Sequence, residues 1–322
     1  MNDLVLITTL QECIQYFSDP DRCLQYVAQK RWVDGIASCP VCGSRQTGFI
    51  ATRRLWKCKN KECRKQFSVK MGTIMEDSPL GLDKWLIAMW LIANAKNGIS
   101  SCELSRALGI TQKSAWFLLH RIRLAMQTGT FEKLSGEVEA DETYIGGKAA
   151  NMHQERRAAK IKGRGGSGKA IVMGMLERGG KLKAKVISDT SRDTLHREIK
   201  AAIAPITKGS VNDHLTQLYT DGHSGYDGLD EIYLHAVIDH AVEYVNGSIS
   251  TNGIENFWTL LKRSLKGTYV AVEPEHLDSY VDEQVFRYNT RKTDDEHRFM
   301  TVLENISSKR LSYKKLINRT CL

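Results

Sequence analysis

Glu137-Val-Glu-Ala-Asp-Glu-Thr-Tyr-Ile145, closed by Gly146-Gly147, decides the fold of this 322-residue chain. It reads as a strand with Asp141 in its middle. Working forward, residues 170–177 and 181–188 read as two more strands, joined by Gly179-Gly180 as a hairpin. A helix from Thr190 to Ala204 follows, with Thr190 or Ser191 as its cap, then a strand at 216–221 ending on Asp221. A short helix, a strand at 232–238 and a helix from Asn252 to Lys266 complete the run. Three strands followed by alternating helices and strands predict an α/β fold, a mixed sheet covered by helices. This is the element order of an RNase H-like domain.

Working backward, Gln127 to Ser135 is a short polar connection, and residues 99–126 form two helices around Leu108-Gly109-Ile110. The stretch Ser101 to Trp116 has the pattern of a helix-turn-helix. Leu104, Ala107 and Leu108 make an inner face, Gly109 allows the turn and Thr111 caps the second helix. Gln112, Lys113 and Ser114 then face DNA, while Trp116, Leu119 and Ile122 pack back. A plain helical hairpin fits this stretch equally well by itself. A helix at 82–96 holds the most apolar run, Trp85 to Ala93, which is far too short to span a bilayer. Residues 1–36 are helical, broken at Asp19-Pro20.

Between these helices lie Cys39-x2-Cys42 and Cys58-x4-Cys63, two short-range pairs whose thiolates together supply the four ligands of a structural Zn²⁺. Arg53, Arg54, Trp56 and Lys57 between the pairs offer a basic, aromatic surface to DNA. Cys13, Cys23, Cys102 and Cys321 are scattered and read as reduced thiols. The formal charge of +9, from 46 Lys+Arg against 37 Asp+Glu, favours polyanionic partners and tips the helix pair towards DNA. Lys309, Arg310, Lys314, Lys315 and Arg319 form a basic tail, either solvated or in contact with phosphate. No secretory signal pattern opens the chain.

Asp141, Asp221 and Glu255 sit on three separate elements that such a sheet draws together. Two Asp and a Glu form a hard-oxygen pocket suited to Mg²⁺ or Mn²⁺, as phosphodiester cleavage by two metal ions requires. On the helix opening at Asn252, Ile254, Trp258, Leu261 and Leu265 make one stripe, and Glu255, Lys262 and Lys266 another. Glu139, Glu142, Asp227 and Asp239 are rival acids that spacing does not rank.

With these motifs in view, the chain resembles the insertion-sequence transposases of the ISXO-like branch, a DDE-class family with an N-terminal zinc ribbon. The likeness is carried by Arg31-Trp-Val-Asp-Gly35, Cys39-Pro-Val-Cys-Gly43, Ala140-Asp-Glu-Thr-Tyr-Ile-Gly-Gly-Lys148 and Tyr219-Thr-Asp-Gly222. Thr251 to Arg263, Lys266-Gly-Thr-Tyr269 and Phe286-Arg-Tyr-Asn289 extend it. It implies Asp141, Asp221 and Glu255 as the catalytic metal triad, Lys262 as the accompanying basic residue, and Asn252 as a lesser competitor for the third ligand. It implies cleavage of the element's DNA ends and their transfer to target DNA, by a homodimer or larger assembly in the bacterial cytoplasm and nucleoid.

The expected divisions are 1–75 (helices and zinc ribbon), 76–130 (helix-turn-helix), 131–300 (catalytic domain) and 301–322 (basic tail). The alternative is a non-catalytic zinc-ribbon and helix-turn-helix DNA-binding regulator, which leaves the acids without a purpose. Gly163-Arg-Gly-Gly-Ser-Gly-Lys169 satisfies a phosphate-loop spacing, but Ala170 and an apolar run follow where a Ser or Thr and a helix belong. Arg156 to Lys169 is expected to be a mobile basic loop that touches DNA.

Overall fold

The computed structural model describes residues 6–127, 132–147, 153–160, 166, 168–205, 216–238 and 251–318. It divides into two compact units, Met1–Thr128 with Lys292–Asn318, and Gly129–Arg291 with Arg319–Leu322.

The first unit opens with α1 (Leu10–Tyr16), started by a reciprocal cap between Thr9 and Glu12. The Asp19-Pro20 break also starts the next helix. Asp19 caps α2 (Pro20–Arg31), and Pro20 takes the first helical position, where no N–H is needed. Three short antiparallel strands follow in the order β1 (Thr47–Ile50), β2 (Leu55–Cys58), β3 (Gln66–Phe67). α3 (Leu82–Asn94) is buried over most of its length. No helix among the described residues is long and apolar enough to cross a membrane.

α4 (Ser101–Leu108) and α5 (Gln112–Met126) meet at Gly109, whose φ of +60° is the left-handed conformation that ends a helix without Cβ strain. Thr111 caps α5 by accepting from the Ser114 N–H. Leu104 and Leu108 are buried one turn apart, but Ala107 is exposed and does not belong to the inner face. It is set off from the Leu104–Leu108 line by its angle around the helix. Trp116 is half-buried beside His120.

The C-terminal helices α10 (Asp295–Glu304) and α11 (Tyr313–Ile317) also belong to this unit, whereas the sequence reading carried one domain to residue 300 and a tail beyond it. Phe299 of α10 stacks on Tyr26 and meets Phe17 and Trp90 in one aromatic cluster. Two of the tail's cations are spent internally. Lys309 donates to the carbonyls of Leu124 and Gln127, where α5 ends, and Arg310 pairs with Asp77 at 2.6 Å. Arg319 lies outside the described residues.

The second unit is a five-stranded mixed sheet in the order β6-β5-β4-β7-β8, comprising β4 (Glu137–Ile145), β5 (Ala170–Glu177), β6 (Leu182–Ile187), β7 (Gln217–Asp221) and β8 (Leu234–Ile238). β4, β5 and β6 are antiparallel neighbours, and β7 and β8 run parallel to β4. This is the RNase H-like arrangement. α7 (Arg192–Ala202) covers one face through Leu195 and Ile199 on Val138, Ala140, Met173 and Leu218. Ser191, one of the two expected caps, stands at the N-cap position, but its hydroxyl is turned to Asp189 and Thr194 and makes no side-chain cap. The other face is covered by α8 (Asn252–Ser264) and α9 (Leu277–Asn289).

Beyond Ser264 the chain continues as a π-helical turn, Leu265–Tyr269. The expected loop from Arg156 to Lys169 begins instead inside a helix, α6 (Gln154–Lys160), and most of its remainder lies outside the described residues. A strand, not a helix, starts at Ala170, against a phosphate-loop fold there.

Candidate functional site

Two knuckles build the cysteine cluster. Gly43 donates its N–H to the Cys39 carbonyl with φ +72°, and Arg64 donates to the Asn60 carbonyl with φ +48°. The turns bring Cys39 and Cys63 sulfurs to 3.8 Å and Cys42 and Cys58 sulfurs to 3.6 Å, with all four within 4.8 Å of one another. A tetrahedral Zn²⁺ with ligands at about 2.3 Å separates its sulfurs by ~3.8 Å. The four thiols therefore fit a closed structural zinc site. A backbone hydrogen bond from Ser44 brings the Cys42 thiol down to about 7, easing the thiolate that a metal requires. Trp56 is half-buried between Trp32, Phe49 and Phe67, so it serves the ribbon's own packing, while Arg53 and Lys57 are exposed.

Among the described residues these cysteines are the one group of three or more potential ligands gathered that closely. The acids are arranged differently. β4 and β7 pair in parallel with Glu139 opposite Tyr219, and their ladder stops there. Counting two residues onward puts Asp141 and Asp221 at the same level on neighbouring strands, on the same face, just where the strands part. Both are half-buried. Burial raises the Asp141 carboxyl above its ordinary range, and the negative charges of Asp221 and Glu255 push the same way. Hydrogen bonds from Trp258 and from the Glu142 backbone oppose them. Three carboxylates within charge range of one another make a hard-oxygen donor set that a divalent cation relieves.

α8 comes close because two glycines let it. Gly174 on β5 is the cross-strand partner of Asp141. A Cβ there would meet Trp258 Cη2 at 2.6 Å and Ile254 Cδ1 at 2.8 Å. With that space empty, the Trp258 indole N–H donates to Asp141 Oδ2 at 2.8 Å. Gly253, in the first turn of α8, leaves room in the same way for Glu139 and Leu176. The apolar stripe of Ile254, Trp258, Leu261 and Leu265 is buried, and Glu255, Lys262 and Lys266 are exposed. The Thr251 hydroxyl donates to Glu255 Oε1 at 3.3 Å. Asn252 is exposed at the first position of the helix.

The rival acids separate on this geometry. Glu139 is buried, accepting from Arg178 Nε at 2.9 Å and from the Ile254 N–H at 2.9 Å. Glu142 alternates to the α7 face, where burial lifts its carboxyl to about 7 and the Tyr226 hydroxyl pulls the other way. Asp227 is exposed after the 3₁₀ turn Ser224–Tyr226, and Asp239 lies outside the described residues. The donor role of Trp258 and the permissive role of Gly174 were not read from the sequence. An aromatic at a helical interval signals packing, and only the helix–sheet distance reveals the rest.

Residues 133–289 match the ISXO2-like transposase domain, and residues 18–66 match the transposase zinc-ribbon domain. A protein of Halobacterium salinarum described as an uncharacterized protein in transposable element ISH50 is 25% identical over 303 residues, covering 90% of this chain and 98% of its own length.

Proposed function

Because this chain belongs to the ISXO2-like insertion-sequence transposases, with their zinc ribbon at its N-terminal side, we propose that it cuts the DNA ends of its element and joins them to target DNA. The chemistry is in-line phosphoryl transfer. Water attacks the phosphorus at each end, its oxygen forming the new bond as the 3′-oxygen leaves and takes up a proton. The freed 3′-hydroxyl then gives up its proton and attacks a target phosphorus, forming the joining bond as the target strand's own 3′-oxygen leaves and takes up a proton. The chain's own oxygens for this work are those of Asp141, Asp221 and Glu255, and Mg²⁺ or Mn²⁺ bound there supplies Lewis-acid stabilisation of the transferring phosphoryl group.

The observation that carries the reading is the level register of Asp141 and Asp221 on β4 and β7, with Glu255 close enough for its charge to be felt at Asp141. Trp258 keeps the Asp141 carboxylate oriented through Oδ2. Lys262 lies two turns along α8 from Glu255 and is exposed, the setting for a contact with a DNA phosphate. Within the first unit, Lys113 at the start of α5 and Arg53 and Lys57 of the ribbon are exposed cations suited to phosphate contacts of their own. Two ends are held at once, so the working form is a dimer or larger.

The test is Asp141→Asn assayed on element-end DNA in Mg²⁺. Retained binding with cleavage lost supports the assignment. Cleavage at the wild-type rate refutes it.

A further inference from the structure

Glu139 is 3% exposed, lies two residues before Asp141 on the same face of β4, and has no part in the chemistry above. We infer that Glu139 is a positioning residue, clamping the first turn of α8 to the sheet and thereby fixing where Glu255 stands against Asp141. This rests on the active-site reading given above.

Each oxygen of Glu139 is engaged. Oε2 accepts the Ile254 backbone N–H at 2.9 Å, and Oε1 accepts Arg178 Nε at 2.9 Å. The helix needs this acceptor. Its N-cap residue, Thr251, makes no side-chain cap, because its hydroxyl is turned to Glu255. A carboxylate from a neighbouring strand takes over the capping, where the N-terminal end of the helix dipole favours negative charge. Gly253 keeps the approach open, since a Cβ there would lie 2.8 Å from Glu139 Oε2 and 2.7 Å from Leu176 Cδ2.

Arg178 widens the clamp. It reaches Glu137 Oε2 at 2.7 Å through Nη1, and its guanidinium lies over the Tyr219 ring at 4.2 Å from the centroid. The Tyr219 hydroxyl donates to Glu137 Oε2 at 3.4 Å. The cluster thus grips each element that carries a proposed ligand, one or two residues before that ligand. Glu139 precedes Asp141, Tyr219 precedes Asp221, and Ile254 precedes Glu255. Arg178, shared with Glu137, also supplies the countercharge that lets Glu139 stand buried.

The experiment pairs site-resolved amide hydrogen exchange with steady-state cleavage of element-end DNA for Glu139→Ala, Glu139→Gln and Arg178→Lys. Glu139→Ala is expected to speed exchange at residues 253–256 by about tenfold or more relative to the β4–β5 amides. It should also lower kcat by ~10–100-fold, the usual effect of losing a residue that orients metal ligands, with KM for DNA nearly unchanged. Glu139→Gln keeps one acceptor oxygen and should fall between Glu139→Ala and wild type. Arg178→Lys, which keeps the charge but loses the fork, serves if Glu139→Ala does not fold. Its expected result is the same local exchange pattern at smaller amplitude.

Unchanged exchange in that turn, or exchange accelerated evenly across the sheet with kcat tracking only the folded fraction, overturns the inference. Asp141→Asn and Glu255→Gln run alongside. If they cut like wild type, the active-site reading itself fails. If they are dead while Glu139→Ala cuts like wild type, only the positioning role fails.

Discussion

Trp258 and Asp141 are joined by an indole N–H donated to a carboxylate oxygen at 2.8 Å, so one ring both packs α8 on the sheet and holds the acid's orientation. The two tasks separate in Trp258→Phe, which keeps an aromatic ring and removes the donor. We expect a stability loss of about 1.5–3 kcal/mol, the value of a hydrogen bond to a charged group. Cleavage by the folded protein should fall by ~10–100-fold, the usual effect of losing a contact that orients a metal ligand. Denaturant titration and single-turnover cleavage measure the two separately. Cleavage that follows only the folded fraction would reduce Trp258 to a packing residue.

Gly174→Ala addresses the same contact from the strand side. The added methyl would press on Trp258 and Ile254 at distances that real Cβ atoms do not adopt, and both neighbours are themselves buried. α8 must move outward, at a cost of about 1–3 kcal/mol for overpacking. The expected result is a lower melting temperature together with a cleavage defect larger than that of a matched control. Gly179→Ala is no such control, because Gly179 has φ +73° and is strained by any side chain. Gly147→Ala is suitable, since a Cβ there meets nothing within 4 Å.

Much of this arrangement was readable in advance. The strands at 137–145 and 170–177 lie where the pattern put them, and Ile254, Trp258, Leu261 and Leu265, chosen by helical spacing, are buried, with Phe257 added to them. Local periodicity is a local property, so it reads well from a single chain. Apart from local slips at Ala107 and at α6, the failures are of long range. Glu139 was indistinguishable from the other acids of its strand because its partners, Arg178 and Ile254, lie 39 and 115 residues away. Lys309 and Arg310 looked free for DNA because Leu124 and Asp77, 185 and 233 residues off, leave no trace in spacing. Asn289 was read only as part of a motif. It pairs both its amide atoms with the backbone of Leu182, completing the hydrogen bonding at the start of the edge strand β6 in place of a further strand.

The cysteine cluster sets a separate expectation. The purified protein should carry zinc at about one ion per chain, and Cys58→Ser should lose it. Zinc binding by such sites is worth on the order of 10 kcal/mol at neutral pH, and that energy is folding energy. Chelation should therefore melt the ribbon and abolish the near-ultraviolet signal of Trp32 and Trp56, whose rings meet at 4.9 Å. Full retention of that signal in metal-free protein would show that the ribbon stands without its metal.

Glu283 and Arg287 form a buried ion pair one turn apart on α9, with Glu283 wholly inaccessible, and the Tyr269 hydroxyl donates to the same Glu283 oxygen. This triad ties the π-helical turn after α8 to α9. Val270, directly after it, holds φ +63° although it is β-branched and exposed, a conformation that persists only if the neighbouring turn is fixed. Removing the acid alone leaves a buried guanidinium without its countercharge. Glu283→Ala should therefore cost about 3–5 kcal/mol. Tyr269→Phe, losing one hydrogen bond to a charged group, should cost about 1.5–3 kcal/mol. In both variants proteolysis should open the chain near Val270 before the sheet unfolds. If Glu283→Ala melts like wild type, the triad does not anchor the turn, and the strain at Val270 must be held by other contacts.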